Sequence, residues 1–575
     1  MKKTLFFALS IAVIFFVLGL FTISDYGMNW DEPEHYIRGQ AYLHFFLTGK
    51  KDYADFPKLR IHYSKNYIPI TDHIDLEDDR SFRRSIYQFD REGSRLTFSH
   101  YRSNDSGHPP LNGILASVGN VIFYQKLGIL GDVESYHLLP IVVSAVLVAA
   151  IFAFTAETFG IFAGIIAASS LVLYPLFFAE SHFNIKDPVE SGFYALTILF
   201  GYFSITRNSP RLALLVGLFG GLALGTKLNA LFAFGTLFLW CIIIFRKKLF
   251  TRQWPLSIST TLALVASPFI ALAVVMLFWP YLWSSPINHG LEILKYYKEI
   301  GYTVSYQPSS FLLFGSINMY AWEWVLFATP LVTLGLSFFG LWHALTHWWK
   351  EQYAPFLLII LWLLVPLVRV SMPRAGIYGG LRQIMEYIPA MAILAGIGGR
   401  EFVRHLEKKI ARGRKTFVFR LAVLSFFLPI TLKLISIHPN QNVYVNPLIG
   451  GLRGAKQRNF PDWGVTLGSV YQQGMDWLNR NARAEADVAL IKGLQSNIPR
   501  IKIRKDIHFG ENYYSGIEKK GEYLMEVVDY YWTRDIDESK RQYLATLIPV
   551  HQVIVEGVPI LTIWKNDTAH TRTTQ

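Results

Sequence analysis

The chain has 575 residues, of which 52% are hydrophobic and only 17% charged, with a mean hydropathy of +0.28. A water-soluble domain carries roughly 25% charged residues, and several apolar runs here reach the ~20 residues that a bilayer demands. This composition excludes an ordinary soluble enzyme and points to a multi-span membrane protein. The net charge of +13 would suit a nucleic-acid partner, but its placement, traced below, fits the positive-inside bias instead. The single cysteine, Cys241, excludes an intrachain disulfide and a cysteine metal cluster.

The chain starts with Met1-Lys2-Lys3 and an apolar run to about Ile23. This run exceeds the roughly 7–15 residues of a signal-peptide core and no A-x-A-like site follows, so it reads as a retained first span. Directly after it comes Met28-Asn29-Trp30-Asp31-Glu32-Pro33-Glu34-His35-Tyr36. Three carboxylates between aromatic side chains, at the point where a helix leaves the bilayer, suit a group that abstracts a proton. The plainer reading is a polar cap that anchors the span at the interface.

Ten further spans are expected at about 137–157, 160–179, 189–206, 211–226, 228–245, 256–278, 325–344, 355–371, 383–399 and 417–436, making about 11 in all. The apolar run Leu111 to Leu130 carries Asn112, Asn120, Gln125 and Lys126. If it does not span and the N-terminus is cytoplasmic, one side collects Arg207, Arg211, Arg246, Lys247, Lys248, Arg400, Arg404, Lys408 and Lys409. The positive-inside rule therefore favours a surface or re-entrant helix at 111–130.

This topology leaves a long loop, 24–136, another at about 279–324, and everything from 437 on the outer side. The expected organisation is a transmembrane domain, 1–436, followed by a small soluble α/β domain, 437–575. Strands are expected at Tyr523 to Val528 and on both sides of a hairpin turn at Glu556-Gly557, between Gln552 and Trp564. Pro559 confines its strand to an edge or a strand start.

Several charges stand where a bilayer or the sidedness rule would exclude them. Asp187, in Asn184-Ile185-Lys186-Asp187-Pro188, faces the same side as Asp31, although a residue before proline also simply starts a helix. Lys227 interrupts a long apolar stretch; such a charge either finds a partner or snorkels to the interface. Arg369, Arg374 and Arg382 gather around a short outer loop, where a phosphate or a salt bridge to Glu386 or the Asp31 cluster accounts for them. His108 precedes Pro109-Pro110 at the head of the surface helix and is a candidate phosphate or metal contact, or a structural turn residue.

These residues fit one chemistry. A phosphate-activated lipid substrate needs cations to hold its phosphate, and Lys227, Arg374, Arg382 and His108 are the candidates. A hydroxyl acceptor needs a carboxylate base, and Asp31, Glu32 and Asp187 are the catalytic candidates, Asp31 first. Asp187 is read as placing the acceptor or as joining Asp31 to hold a divalent metal; the sequence leaves the metal open.

Taken together, the motifs resemble those of the GT-C glycosyltransferases. Trp30-Asp31-Glu32-Pro33-Glu34-His35-Tyr36 resembles their acidic first-loop motif, Gly107-His108-Pro109-Pro110-Leu111 the start of their membrane-surface helix, and Lys186-Asp187-Pro188 their second acidic site. Gly221-Leu222-Ala223-Leu224-Gly225-Thr226-Lys227 is similar to a helix pair with a lysine at its turn. The branch most resembled contains protein O-mannosyltransferases and lipid A aminoarabinose transferases. Gly107-His108 stands where the latter carry an acidic residue and a lysine, so the acceptor is not read as lipid A.

The resemblance implies transfer of a sugar from a polyprenyl-phosphate donor to a lipid, glycan or protein hydroxyl at the outer face of the membrane. It also implies Asp31 as base and Lys227 beside the donor phosphate. A transporter or flippase for a lipid-linked sugar would use the same cations without covalent chemistry, but would more often show repeats and polar residues at mid-membrane. A purely structural or assembly protein leaves the acidic cluster and the misplaced arginines without a role.

Overall fold

The computed structural model describes the chain apart from residues 1, 55–60, 63–72, 75–82, 89–96, 252–253, 304–312, 315–316, 348–353, 374, 411–415, 493–496, 500–501, 505, 510–519, 529–537 and 573–575. The expected phosphate ligand Arg374 lies outside the described residues.

The protein is a multi-pass helical membrane protein. Among the described residues six helices are long and apolar enough to cross a bilayer: Lys3–Asp25, Asp132–Phe159, Leu228–Lys248, Ile258–Phe278, Ala354–Ser371 and Thr416–Ser436. Two bent pairs raise the number to eight if each is one span. The helices expected at 189–206, 211–226 and 383–399 form as Asp187–Thr206, Pro210–Thr226 and Ile388–Ile410, outside that set.

Two expected spans are not straight. The run expected at 160–179 is Ile161–Val172 followed by Pro175–Phe183, bent by 61°. The run expected at 325–344 is Tyr320–Ala328 followed by Leu331–Leu345, bent by 117°. Pro175 and Pro330 stand at the two breaks. Proline pushes the residue before it into extended backbone, as at Tyr174 (ψ 113°) and Thr329 (ψ 132°). An apolar count along the sequence does not register such a break.

Six helices set the site. They are α1 (Lys2–Thr22), α2 (Glu32–Thr48), α3 (Leu111–Gly119), α4 (Asp132–Phe159), α5 (Asp187–Thr206) and α6 (Pro210–Thr226). Helix α2 has Glu32, Pro33 and Glu34 in its first turn and stops at Gly49 in left-handed backbone (φ 74°). Acidic residues and proline belong at the positive N-terminal end, and glycine suits the stop. Helix α5 repeats the pattern with Asp187, Pro188 and Glu190.

Helix α3 continues into a π-helical stretch, Asn120–Lys126. Two of its polar residues have protein partners: Asn120 donates to Asp132 and Ser135, and Gln125 donates to Asn120. A polar side chain satisfied within the protein does not need an aqueous face. This accounts for Asn120 and Gln125 in the run, which is packed between α2 and α4.

After the last membrane helix comes a five-stranded mixed sheet. Its strands are β1 (Asp487–Lys492), β2 (His508–Phe509), β3 (Tyr523–Val527), β4 (Pro549–Val555) and β5 (Val558–Lys565), in the order β2-β1-β3-β5-β4. Strands β1–β2 and β1–β3 are parallel; β3–β5 and β5–β4 are antiparallel. The period-two alternation of a strand divides the core. Val488, Leu490 and Met525 pack with Met475 and Leu478 of the helix Tyr471–Asn481, while Ala489, Ile491 and Leu524 pack with Leu544 of Glu538–Thr546. The expected strand 523–528 and the hairpin at Glu556-Gly557 are both present, and Pro559 is the second residue of its strand.

Helices α2 and α3 cross with their backbones in contact. A Cβ at Gly39 would lie 2.2 Å from the Gly113 carbonyl, and one at Gly113 would lie 2.3 Å from the His35 oxygen. Only glycine allows this approach. Gly113→Val is expected to cost at least about 1–3 kcal/mol through overpacking, seen as a lower thermal midpoint in detergent. Gly235→Ala, where nothing lies within 4 Å, serves as the unaffected control; equal midpoints for both variants would contradict the close crossing.

Candidate active site

The two acidic motifs meet. Asp31 is the N-cap of α2, but its side chain makes no capping bond. It points instead to Arg382, whose Nη1 donates to Asp31 Oδ2 at 3.0 Å and lies 3.5 Å from Asp187 Oδ2. Asp187 Oδ1 accepts from Lys227 Nζ at 2.8 Å, and Lys227 also donates to the Gln383 carbonyl at 2.9 Å. One unbroken chain of charges thus runs Asp31, Arg382, Asp187, Lys227. Asp187 starts its helix, as a residue before proline readily does, and it also pairs with two cations.

Exposure separates the two carboxylates: the Asp31 side chain is 43% exposed, that of Asp187 only 2%. Burial would raise the pKa of Asp31, but Arg382 and then Lys186 outweigh it and hold the carboxyl well below its usual range. Arg382 is buried and held charged by Asp31 and Asp187 against the cost of its burial.

Glu32 is turned inward. Its carboxylate accepts from the Asn29 amide at 2.8 Å and the Ile185 amide at 3.2 Å, and contacts His137 Nε2 at 3.2 Å. It therefore fastens the first loop to α4 and to the loop that carries Asp187. Asn184 completes that loop. Its Oδ1 accepts from the amides of Lys186 and Asp187, and its Nδ2 donates to Asp187 and Glu180. This is the side-chain turn asparagine forms readily before a helix.

Arg369 does not join the central chain. It pairs with Glu386 at 3.0 Å, which also accepts from Asn229; this is the salt bridge anticipated from the sequence. His108 lies beside Lys186, whose charge, together with burial, pushes the imidazole well below its usual value. A neutral ring donates a hydrogen bond but contributes no charge. Its Nδ1 faces the Tyr297 hydroxyl at 2.9 Å.

Lys186 is the residue that the sequence reading passed over. It is 8% exposed, and among the described residues it has no ion pair within 4 Å. Burial pushes it down to about 8; Asp31 and Asp187 resist the shift, and Lys227 and Arg382 add to it. Arg38 was missed as well. It pairs with buried Asp105 at 2.9 Å and donates to the carbonyls of His108 and Pro109, so it holds the His108 loop on α2.

The group Asp31, Asp187, Lys186, Lys227 and Arg382 holds three cations and two carboxylates. That excess of positive charge suits an anion. Among the described residues no three His, Cys, Asp or Glu side chains converge as a metal would require. Asp31 and Asp187 share a guanidinium instead.

Residues 108–272 match a family model described as dolichyl-phosphate-mannose-protein mannosyltransferase. No curated protein matches. Among solved structures, the chain is similar to ArnT from Cupriavidus metallidurans bound to undecaprenyl phosphate, at 13% identity over all of both chains with a TM-score of 0.47. It is also similar to the Archaeoglobus fulgidus oligosaccharyltransferase in its apo form, at 13% identity over 90% of this chain and 65% of that one, with a TM-score of 0.45. The family match contains His108, Lys186, Asp187 and Lys227. It bears out the resemblance to GT-C glycosyltransferases carried by the motifs, and with it the expectation of a glycosyltransferase.

Removing Arg38 would leave Asp105 buried without its cation. Arg38→Met is therefore expected to cost about 3–5 kcal/mol, read as a lower thermal midpoint. Arg38→Met combined with Asp105→Asn is expected to recover part of the loss; a double variant no better than the single one would refute the ion-pair account.

Proposed function

We propose that the protein transfers a sugar from a polyprenyl-phosphate donor to a hydroxyl acceptor at the outer face of the membrane, with Asp31 as general base. The observation that carries this reading is the chain Asp31–Arg382–Asp187–Lys227 with Lys186 beside it, a buried cation that has no ion pair among the described residues. The family description over 108–272 supports a lipid-phosphate-linked sugar as donor. Eleven spans, a cytoplasmic N-terminus, and the division into 1–436 within the membrane and 437–575 outside it belong to the same proposal.

In this mechanism the donor phosphate binds against Lys186, Lys227 and Arg382. The acceptor oxygen attacks the sugar carbon that bears the phosphate. The carbon–phosphate-oxygen bond breaks with its electron pair on the leaving phosphate, which the three cations stabilise. Asp31 takes the acceptor proton. Glu32 positions the loop, and His108 contributes a hydrogen bond at most.

The pairing of Asp31 with Arg382 adds an order to these events. A carboxylate held so far below its normal range is a weak base. A donor phosphate that competes for the Arg382 guanidinium frees Asp31 and raises its basicity. The base is thus activated by the donor, before the acceptor reacts.

Asp31→Asn keeps the shape and removes the base. Transfer from a panel of radiolabelled polyprenyl-phosphate sugars to membrane extract should fall about 100-fold or more, with an unchanged thermal midpoint. Full activity in Asp31→Asn would rule out the base assignment. No transfer by wild type, with lipid-phosphate binding intact, would favour a transporter of the same lipid.

Lys186 supplies a pH test. Its charged form binds phosphate and is lost as pH rises through about 8. Affinity for a short-chain polyprenyl phosphate should therefore weaken severalfold between about pH 7 and pH 9, and Lys186→Gln should be weak and flat over that range. An unchanged profile in Lys186→Gln would remove Lys186 from the phosphate site.

A further inference from the structure

The turn that carries Arg382 owes its shape to a residue beyond the last membrane helix. Gly379 and Gly380 adopt left-handed backbone, with φ of 68° and 72°. Their successive N–H groups then point away from any helical ladder and need acceptors of their own. The Gly379 amide donates to Asp462 Oδ2 at 2.8 Å, and the Gly380 amide donates to the Tyr320 hydroxyl at 2.8 Å. The Tyr320 hydroxyl in turn donates to the same Asp462 oxygen. Asp462 is fully buried and sits at φ 58°, a conformation that aspartate and asparagine tolerate better than most residues.

The segment around Asp462 also holds the other half of the ion pair. The Trp30 amide donates to the Leu467 carbonyl at 2.9 Å, and the Trp30 ring packs edge-on against Tyr471. The Asn497 side chain donates to the Asn29 carbonyl at 2.6 Å. Trp324 anchors the segment through a 3.2 Å bond to the Pro461 carbonyl and contact with Phe460. Residues 460–468 therefore touch the loop that ends in Asp31 on one side and the turn that leads to Arg382 on the other.

We infer that Asp462 is a positioning residue for lipid-phosphate recognition. With Tyr320 it sets the Gly379–Gly380 turn and so holds the Arg382 guanidinium where it reaches both Asp31 and the donor phosphate. The segment 460–468 is a splint across the two halves of the site. This rests on the proposed phosphate role of Arg382 and adds a dependence on residues outside the membrane part.

The test measures the affinity of the full-length protein in detergent for a short-chain polyprenyl phosphate, alongside its thermal midpoint. Arg382→Ala should weaken binding about tenfold, and Asp462→Ala should weaken it to a similar extent. Asp462→Asn keeps an oxygen for the Gly379 amide and Tyr320, and should bind within about threefold of wild type. The double variant Asp462→Ala/Arg382→Ala should bind no worse than Arg382→Ala alone, because Asp462 acts through Arg382.

A merely structural Asp462 would lower the midpoint and leave affinity unchanged, or would add its loss to that of Arg382→Ala; either result overturns the inference. If Asp462→Ala does not fold, Tyr320→Phe is read against Arg382→Ala by the same criterion. Unchanged affinity in Arg382→Ala itself would instead remove the phosphate role of Arg382, and the inference would fall with it.

Discussion

A buried charge without a partner costs several kcal/mol, and the site is arranged around that constraint. Arg382 is the pivot. It is buried beneath two carboxylates from separate motifs, Asp31 after the first helix and Asp187 at the head of α5. Lys227, from the end of α6, closes the chain on Asp187. Four segments distant in sequence are thereby drawn to one point by charge pairing. Glu32 performs a parallel task with hydrogen bonds, tying the first loop to α4 and to the Asn184 turn. Of the adjacent pair Asp31 and Glu32, one is bound into the fold and the other is half exposed toward the site.

Much of this could be read from the sequence because membrane sequences penalise misplaced charge. Asp187, Lys227 and Arg382 stood out as charges where the bilayer or the sidedness trend would exclude them, Asp31 as one of three carboxylates at the end of the first span, and the structure brings these four together. Arg369 stood out for the same reason, yet its partner is Glu386; a charge pattern shows that a partner exists without saying which one. Lys186 was harder to see. It directly precedes a more conspicuous aspartate, and its lack of an ion pair among the described residues is a fact of three-dimensional geometry. Asp462 gave no signal, since an aspartate between a proline and a tryptophan in a polar region has nothing unusual about it. The paired strands β4 and β5 were legible from alternation and a Glu-Gly turn, whereas the bends at Pro175 and Pro330 were lost in windows that count only apolarity.

Helix crossings near the site follow the same logic of close approach. Gly39 and Gly113 bring α2 and α3 into backbone contact, and α3 begins immediately after His108-Pro109-Pro110. Arg38, one residue before Gly39, reaches across that crossing to Asp105 and to the carbonyls of His108 and Pro109. The glycines supply proximity and the arginine supplies direction. His108 therefore has a fixed position relative to Asp31, although it lies more than seventy residues further along the chain.

The part of the chain after the membrane helices is more than an appendage on this site. Its sheet packs on the helix Tyr471–Asn481, and that helix follows directly on the segment that contacts Trp30 and the Gly379–Gly380 turn. Lys502, in the same region, pairs with Glu134 at the start of α4 at 2.7 Å, with both side chains 14% exposed. Partly buried pairs of this kind are screened less than surface ones. This region thus grips the first loop, through Trp30, and α4, through Glu134, at separate points.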